Sequence, residues 1–300
     1  MLRIESISKR YGKGPLVNDA VSIELRPGEL TALIGHNGAG KTTLLSQICG
    51  VVRPTSGDIR FGEVSFVSQP DLARRACSLM AQLHAPIQGM TPRAMISSVA
   101  RLRGASAADA QARTADVIER LSIGEWADKP GQKLSGGLRR MTSYAMAVVL
   151  PPPILLIDEP TNDVDPQRRP VIWRDLRGLA EDGHIVVVVS HNLLEVERAA
   201  DRVVLMKEAK VVMDGTPQSI AAAAGASTLK VLWAGESQAE GLPPNLGVSA
   251  ELPRQTSILL APAQVPDAAR WAAGLTESGV AESFVLEPMS LENVYGKAHE

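Results

Sequence analysis

Two cysteines in 300 residues, Cys49 and Cys77, are too few and too far apart for a disulfide framework or for paired zinc ligands. A reducing compartment fits that usage, and both thiols are expected to be packing residues. No run reaches the ~20 apolar residues that cross a bilayer as a helix. Met1-Leu2-Arg3-Ile4-Glu5-Ser6 lacks the apolar core of a secretory leader. The expected location is the cytoplasm, unless a partner holds the chain at a membrane. Charge of one sign is also lacking: 31 Lys and Arg face 33 Asp and Glu. That balance argues against the concentrated basic surface of a nucleic-acid binder without excluding one, and no nucleic-acid partner is expected. There is neither an internal repeat nor a low-complexity tract of consequence. What remains is a chain of ordinary 45% apolar content, long enough for one large domain or two smaller ones.

Against that background one stretch carries specific chemistry. Gly35-His36-Asn37-Gly38-Ala39-Gly40-Lys41-Thr42-Thr43 fits G-x-x-x-x-G-K-[ST] directly after the apolar Leu30-Thr31-Ala32-Leu33-Ile34. A backbone that wraps a triphosphate must take torsions that a Cβ blocks, and must turn successive N–H groups toward phosphate oxygens. Lys41 adds a mobile positive charge and Thr42 a hydroxyl for Mg2+. Thr42-Thr43-Leu44-Leu45 begins a helix whose positive end faces the phosphates.

Upstream, Leu2, Ile4, Ile7 and Val21, Ile23, Leu25 alternate with polar residues around the turn Arg26-Pro27-Gly28-Glu29, which predicts strands leading into the loop. Between about 70 and 133 the pattern is helical, with Thr91-Pro92 as cap and first helical residue, and a second helix over Ala107 to Leu121. The apolar runs Ile154-Leu155-Leu156-Ile157 and Ile185-Val186-Val187-Val188-Val189 predict strands buried on both faces of a parallel sheet. Val203 to Met206 and Val211 to Gly215 read as a closing hairpin, and Thr216-Pro217 as the start of a short helix. From about 221 nine acidic side chains face four basic ones, and a domain boundary is placed there. The tail carries strands at Thr228 to Trp233, Ser257 to Leu260 and Phe284 to Leu286, and a helix at Pro266 to Thr276. These elements make a small α+β module.

Two further stretches narrow the chemistry. Asp158-Glu159-Pro160 ends a buried strand, the edge where open α/β sheets bind ligands. There Asp158 is placed to hold the Mg2+ shell and Glu159 to polarise an attacking water. Leu134-Ser135-Gly136-Gly137-Leu138 precedes a helix and offers a second anion-binding end. Ser190 and His191 do not make a nucleophilic pair, since adjacent residues at a strand end do not point at each other. His36, His84, His184 and His299 are scattered and read as solvated or packing residues.

With these stretches in order, residues 2 to 218 resemble the nucleotide-binding subunit of an ABC transporter. The resemblance implies an α/β P-loop NTPase with a mainly parallel sheet, an antiparallel β subdomain and an inserted helical subdomain at about 70–150. The ATP-binding domain covers 1–220 and the accessory module 221–300. By the same resemblance Tyr11 stacks on adenine, residues 35 to 43 form the Walker A loop, and Gln69 in Val67-Ser68-Gln69-Pro70 is the Q-loop residue that touches Mg2+ and water. Residues 134 to 138 are the signature, Asp158 and Glu159 are Walker B, Asp165 belongs to the D-loop, and His191 is the switch histidine bonded to the γ-phosphate. Catalysis would rest on Lys41, Gln69, Glu159 and His191, and Mg2+ on Thr42, Gln69 and Asp158. ATP would be gripped by the loop and, in a head-to-tail dimer, by Ser135, Gly136 and Gly137 of a second nucleotide-binding subunit.

The chain departs from the family in three places. Leu138 replaces the glutamine that usually ends the signature, Asp163 stands where the D-loop commonly has glycine or alanine, and the segment from Arg53 to Gln69 is shorter than usual. The expected partner is a second copy of this subunit, and the departures admit the alternative of one weakened ATP site in a pair with a different subunit. Thr91-Pro92-Arg93, Ala100 to Gly104 and the ending Glu287 to Tyr295 resemble exporter ATPases for drugs, polysaccharides and peptide antibiotics. The implied function is an ATPase that drives a separate membrane permease, held by that permease at the cytoplasmic face of the membrane. An importer ATPase and a soluble ABC protein acting on ribosomes or DNA are the rival readings.

Overall fold

The computed structural model describes residues 1–83, 89–223, 227–235, 242–243, 246–288, 291 and 294–295. His84, His299 and part of the ending that resembles exporters (Met289, Ser290, Glu292, Asn293) lie outside them. Backbone contacts divide the chain into two units, Met1–Asp214 and Gly215–Glu300.

The first unit opens with β1 (Leu2–Arg10), β2 (Leu16–Leu25), β3 (Leu30–Gly35), α1 (Lys41–Ile48), β4 (Ser56–Phe61), β5 (Val64–Ser65), α2 (Pro70–Ala76) and β6 (Cys77–Met80). Three longer helices follow: α3 (Pro92–Leu102), α4 (Ala107–Arg120) and α5 (Gly136–Val148). The unit closes with β7 (Ile154–Asp158), α6 (Arg169–Glu181), β8 (Ile185–Val189), α7 (Leu193–Ala199), β9 (Arg202–Lys207) and β10 (Lys210–Gly215).

Strand character follows burial. In β2 the buried positions Val21, Ile23 and Leu25 alternate with exposed ones, as in a sheet with one wet face, and β2 joins the antiparallel sheet β2-β1-β4-β5. In β1 the alternation breaks between Ile4 and Ile7, where Ser6 takes a φ of 49° and the pairing register shifts. Strands β3, β7 and β8 are buried at every residue. They form the centre of the second sheet, β10-β9-β3-β8-β7-β6, in which β9, β3, β8, β7 and β6 run parallel. Leu44, Leu45 and Ile48 of α1 share one core with Ile4, Ile23 and Ile59 of the first sheet and Leu33, Leu156 and Val187 of the second. The phosphate loop is thereby tied to both sheets through the helix that follows it.

The helical block is not continuous. β6 crosses it and adds a strand to the parallel sheet, pairing with β7 from Cys77↔Ile154 to Met80↔Ile157. Thr91 caps α3 by accepting from the Ala94 N–H at 3.2 Å. Cys49 and Cys77 are both free and buried.

The second unit contains α8 (Pro217–Ala223), β11 (Ser227–Trp233), β12 (Gly247–Leu252), β13 (Gln255–Leu260), α9 (Val265–Glu277) and β14 (Ala281–Pro288). Its antiparallel sheet has the order β12-β13-β11-β14, and Leu229, Val231, Trp233, Ile258 and Leu260 pack with Ala268 and Ala272 of α9. Trp233 is 1% exposed; its Nε1 donates to Thr256 Oγ1 at 2.8 Å, and its ring meets Trp271 edge to face. Trp233→Phe removes this hydrogen bond and is expected to cost ~0.5–1.5 kcal/mol from that loss, readable in chemical denaturation followed by tryptophan fluorescence. A change below measurement error rejects the buried hydrogen bond as a stabilising element.

Candidate functional site

Strands β3, β8, β7 and β6 lie side by side in that order, so their carboxyl ends form one edge. β3 leads through the phosphate loop into α1, β7 ends at Asp158 and passes directly to Glu159, β8 ends two residues before His191, and β6 ends two before Gln82. Asn37, Gly38, Gly40, Lys41, Thr42, Thr43, Asp158, Glu159 and His191 line a cleft of ≈ 330 Å³, joined by Val17, Gln82 and Val189. Gly35, His36 and Ala39 shape the loop without lining the cleft.

The loop is braced from two sides. Lys41 Nζ donates to the carbonyls of Gly35 at 2.5 Å and His36 at 2.9 Å, while the buried amide of Asn18 donates to the carbonyl of Gly40 at 3.2 Å. Burial pulls the Lys41 ammonium below its ordinary pKa, and the charges of Glu159 and Asp158 act the other way. Thr42 Oγ1 donates to Asp158 Oδ2 at 2.9 Å. A hydroxyl beside a carboxylate is a donor set of the kind a hard divalent cation takes.

Glu159 stands at a φ of 53°, and its N–H donates to the Val189 carbonyl at 2.9 Å. Its carboxylate meets His191 twice: Oε2 accepts the His191 backbone N–H at 3.3 Å, and Oε1 lies 3.0 Å from Nε2. The second contact is a close approach without hydrogen-bond geometry, and the buried Oε1 has no hydrogen-bond partner among the described residues. Burial lowers the pKa of His191 and raises that of Asp158.

Glu159 itself is lifted from 4.5 to about 7, first by burial and also by the like charge of Asp158, against the His191 N–H, Lys41 and Arg140. Between those values the folded chain holds a proton that the unfolded chain has released, so this group makes stability fall as pH rises through the window. Glu159→Gln removes the buried charge. The variant is therefore expected to exceed the parent in stability by on the order of 2–3 kcal/mol above about pH 7, and to lose that advantage toward pH 4.5. Urea unfolding of both ligand-free proteins at pH 5 and pH 8 checks the sign. An advantage that does not shrink in acid refutes it.

One expected site residue is placed elsewhere. Gln69 is exposed at the N-terminus of α2, where its carbonyl accepts from the N–H groups of Leu72 and Ala73, and it does not line the cleft. The segment before it ends in β5, a two-residue ribbon of the antiparallel sheet, rather than in a strand of the parallel one. The glutamine that reaches the cleft is Gln82, beyond β6, and the segment that looked short at Gln69 is extended by α2 and β6. Val17, Asn18 and Gln82 are not among the residues that the sequence singles out. The only sequence signal for Gln82 is its place two residues after the short run Cys77 to Met80.

Tyr11 is 51% exposed, with Lys9 Nζ 4.8 Å from its ring centre, and does not line the cleft. Ser135, Gly136, Gly137 and Asp165 do not line it either. Ser135 caps α5 by accepting from the Leu138 N–H at 3.3 Å, and Asp165 Oδ1 accepts from the Gln167 N–H at 2.9 Å.

Comparison with known proteins agrees with this geometry. The family model described as "ABC transporter" matches residues 18–162. The chain is 32% identical to the Nod factor export ATP-binding protein I of Paraburkholderia xenovorans, over 74% of this chain and 72% of that protein. It is 30% identical to the daunorubicin/doxorubicin resistance ATP-binding protein DrrA of Streptomyces peucetius, over 92% and 86%. The chain belongs to the ABC ATP-binding proteins.

It is also 35% identical to the sulfate/thiosulfate import ATP-binding protein CysA 2 of Rhizobium meliloti, over 73% of this chain and 60% of that protein. Export and import relatives therefore both occur. A dimeric post-hydrolysis ATP-binding cassette bound to ADP and Pi superposes with a TM-score of 0.66 at 23% identity, over 72% of this chain and 98% of that one. This ABC protein is the ATP-binding subunit of a transporter. One of its departures has a local reading. Asp163 sits at a φ of 61°, where glycine is easiest and Asp is among the better-tolerated substitutes. Its carbonyl packs so closely on Gly137 that a Cβ there would lie 2.5 Å away.

Proposed function

We propose that this ABC subunit hydrolyses ATP as one half of a head-to-tail dimer and so drives a separate membrane permease, in the direction of export. The observation that carries hydrolysis is the Glu159 carboxylate 3.0 Å from His191 Nε2, at the sheet edge that also presents the phosphate loop. Thr42 and Asp158 suit Mg2+, which when bound neutralises charge on the β- and γ-phosphates. Every other contribution comes from the chain. The loop N–H groups and Lys41 hold the phosphates, and Gln82, which lines the cleft, would take the role given above to Gln69. Glu159, ionised above about pH 7, polarises the attacking water, and His191 donates to the γ-phosphate.

Ser135, Gly136 and Gly137 lie at the start of α5 and not in the cleft of their own subunit, which favours their service to the ATP of a second one. The related cassette with ADP and Pi is dimeric. Among the described residues no helix is long and apolar enough to cross a membrane, and the proposal gives that part to a separate permease, which would hold the subunit at the cytoplasmic face. Two relatives named for export and resistance favour export; the import relative keeps uptake as the second reading.

The test is to recover tagged Glu159→Gln protein, trapped with MgATP, from gently solubilised cells. A polytopic membrane protein in roughly equal amount is the expected companion, and ATP-dependent accumulation in inverted vesicles then marks export. Ribosomal or DNA-associated companions without a membrane protein overturn the transport reading. Accumulation only in the opposite sense overturns export.

A further inference from the structure

The second arginine after the signature, Arg140, is used by none of the roles above, yet its surroundings are unusual. Its side chain is 1% exposed and forms no ion pair among the described residues. Instead it spends its N–H donors on four backbone carbonyls. Nε donates to Glu159 at 2.9 Å, one terminal nitrogen donates to Ala81 at 3.0 Å and Gln82 at 2.7 Å, and the other donates to Asp158. Those carbonyls belong to the last residue of β7 and the one after it, and to the two that follow β6. A buried guanidinium is costly to bring out of water, and several aligned carbonyl acceptors are what offset that cost.

The geometry has a mechanical consequence. The peptide after Glu159 and the peptide after Gln82 are held by one planar fork, so their separation is set by a rigid group rather than by the loops themselves. Glu159 adopts a backbone conformation rare for a residue with a side chain, φ 53°, and such a conformation persists where the surroundings over-determine it. Arg140 supplies that constraint from α5, the helix whose first turn is Gly136-Gly137-Leu138. A shift of the signature end of α5 thus moves the anchor of both Glu159 and Gln82.

We propose that Arg140 is a positioning residue that sets the catalytic glutamate and the cleft glutamine from the signature helix. The inference rests on the hydrolysis reading for its effect on rate, and on the hydrogen bonds alone for its effect on the two loops.

The experiment uses Arg140→Lys and Arg140→Gln in the full chain, with Arg139→Ala as the neighbouring control. Nucleotide affinity is measured with a fluorescent ATP analogue, turnover by phosphate release, and amide exchange in the ligand-free protein by mass spectrometry. Affinity is expected to stay within about threefold of the parent, because the hydrogen bonds of Arg140 run to Ala81, Gln82, Asp158 and Glu159 rather than to Lys41 or Thr42, while kcat falls on the order of 100-fold in the glutamine variant and less in the lysine variant. Exchange is expected to accelerate around 79–83 and 157–162 in both variants and to stay unchanged around 36–45.

Should the glutamine variant unfold, the lysine variant carries the test. Unchanged kcat in folded variants overturns the proposal, as does a loss of kcat that only tracks lost nucleotide binding. Unaltered exchange in the two segments also overturns it. A parent protein that binds ATP without hydrolysing it defeats the hydrolysis reading instead, and the exchange result then decides the positioning of the loops.

Discussion

Exchanging Glu159 for glutamine is expected to lower ATP turnover by on the order of 10²–10⁴-fold while MgATP still binds, the range that loss of a general base produces. The argument is one of shape and charge. Glu159 is 6% exposed, so the substitution must keep its volume, and glutamine does. The amide oxygen of glutamine can still accept the His191 N–H that Glu159 accepts at 3.3 Å. What disappears is the basic oxygen facing Nε2. The groups proposed above to grip phosphate, Lys41, Thr42 and the loop N–H donors, are untouched, and removing a buried negative charge from this cleft favours a bound polyanion. The bound state should therefore persist, and with it the closed dimer, because ligand that binds only the paired form shifts the equilibrium toward pairing. Single-turnover hydrolysis and size-exclusion chromatography in MgATP are the checks. Turnover within threefold of the parent would remove Glu159 from the chemistry, and the site would then need another base.

The parts of this site that could be read in the chain are those whose signal is local. The phosphate loop announces itself because glycine spacing, lysine and threonine fall within nine consecutive residues. Asp158 and His191 could be placed because each follows a run of four or five fully apolar residues, the mark of a central parallel strand. Gln82 could not, because its strand is only four residues long, sits at the sheet edge and follows a short helix. Val67-Ser68-Gln69-Pro70 shows a similar pattern, but it follows β5 of the antiparallel sheet. β12 is not marked as a strand either: it is an edge strand exposed along its whole length, and the alternation of Val248, Ala250 and Leu252 with Gly247, Ser249 and Glu251 is too short and too weakly apolar to stand out. Arg140 had no sequence signal at all. Its partners are carbonyls some 18 to 59 positions away in the chain, and nothing in the residue types of those positions specifies them.

Gly40→Ala is expected to abolish tight nucleotide binding, whereas Gly38→Ala weakens it modestly. Both glycines have left-handed backbones, with φ of 98° and 87°, which costs an alanine ~1–2 kcal/mol at either position. The difference lies in the space around them. A Cβ on Gly38 meets nothing within 4 Å, while one on Gly40 would stand 2.1 Å from the Val17 carbonyl and 2.5 Å from Asn18 Nδ2. Neither neighbour is a loose side-chain end. Val17 is backbone of β2, and the Asn18 amide is fully buried and already bonded to the Gly40 carbonyl. That same carbonyl accepts the Leu44 N–H at 2.9 Å and so begins α1. Relief of the clash must displace the first turn of α1, and with it Lys41 and Thr42. Adding an overpacking cost of ~1–3 kcal/mol to the conformational one gives about 2–5 kcal/mol for Gly40→Ala. Nucleotide affinity should fall more than 100-fold, since a displacement of roughly 1 Å in the groups that hold the phosphates is sufficient for that. Urea unfolding and fluorescent-nucleotide titration of the two variants, side by side, separate the contributions. Equal losses at both positions would mean that torsion alone limits the loop, and that the brace from β2 plays no part in holding ATP.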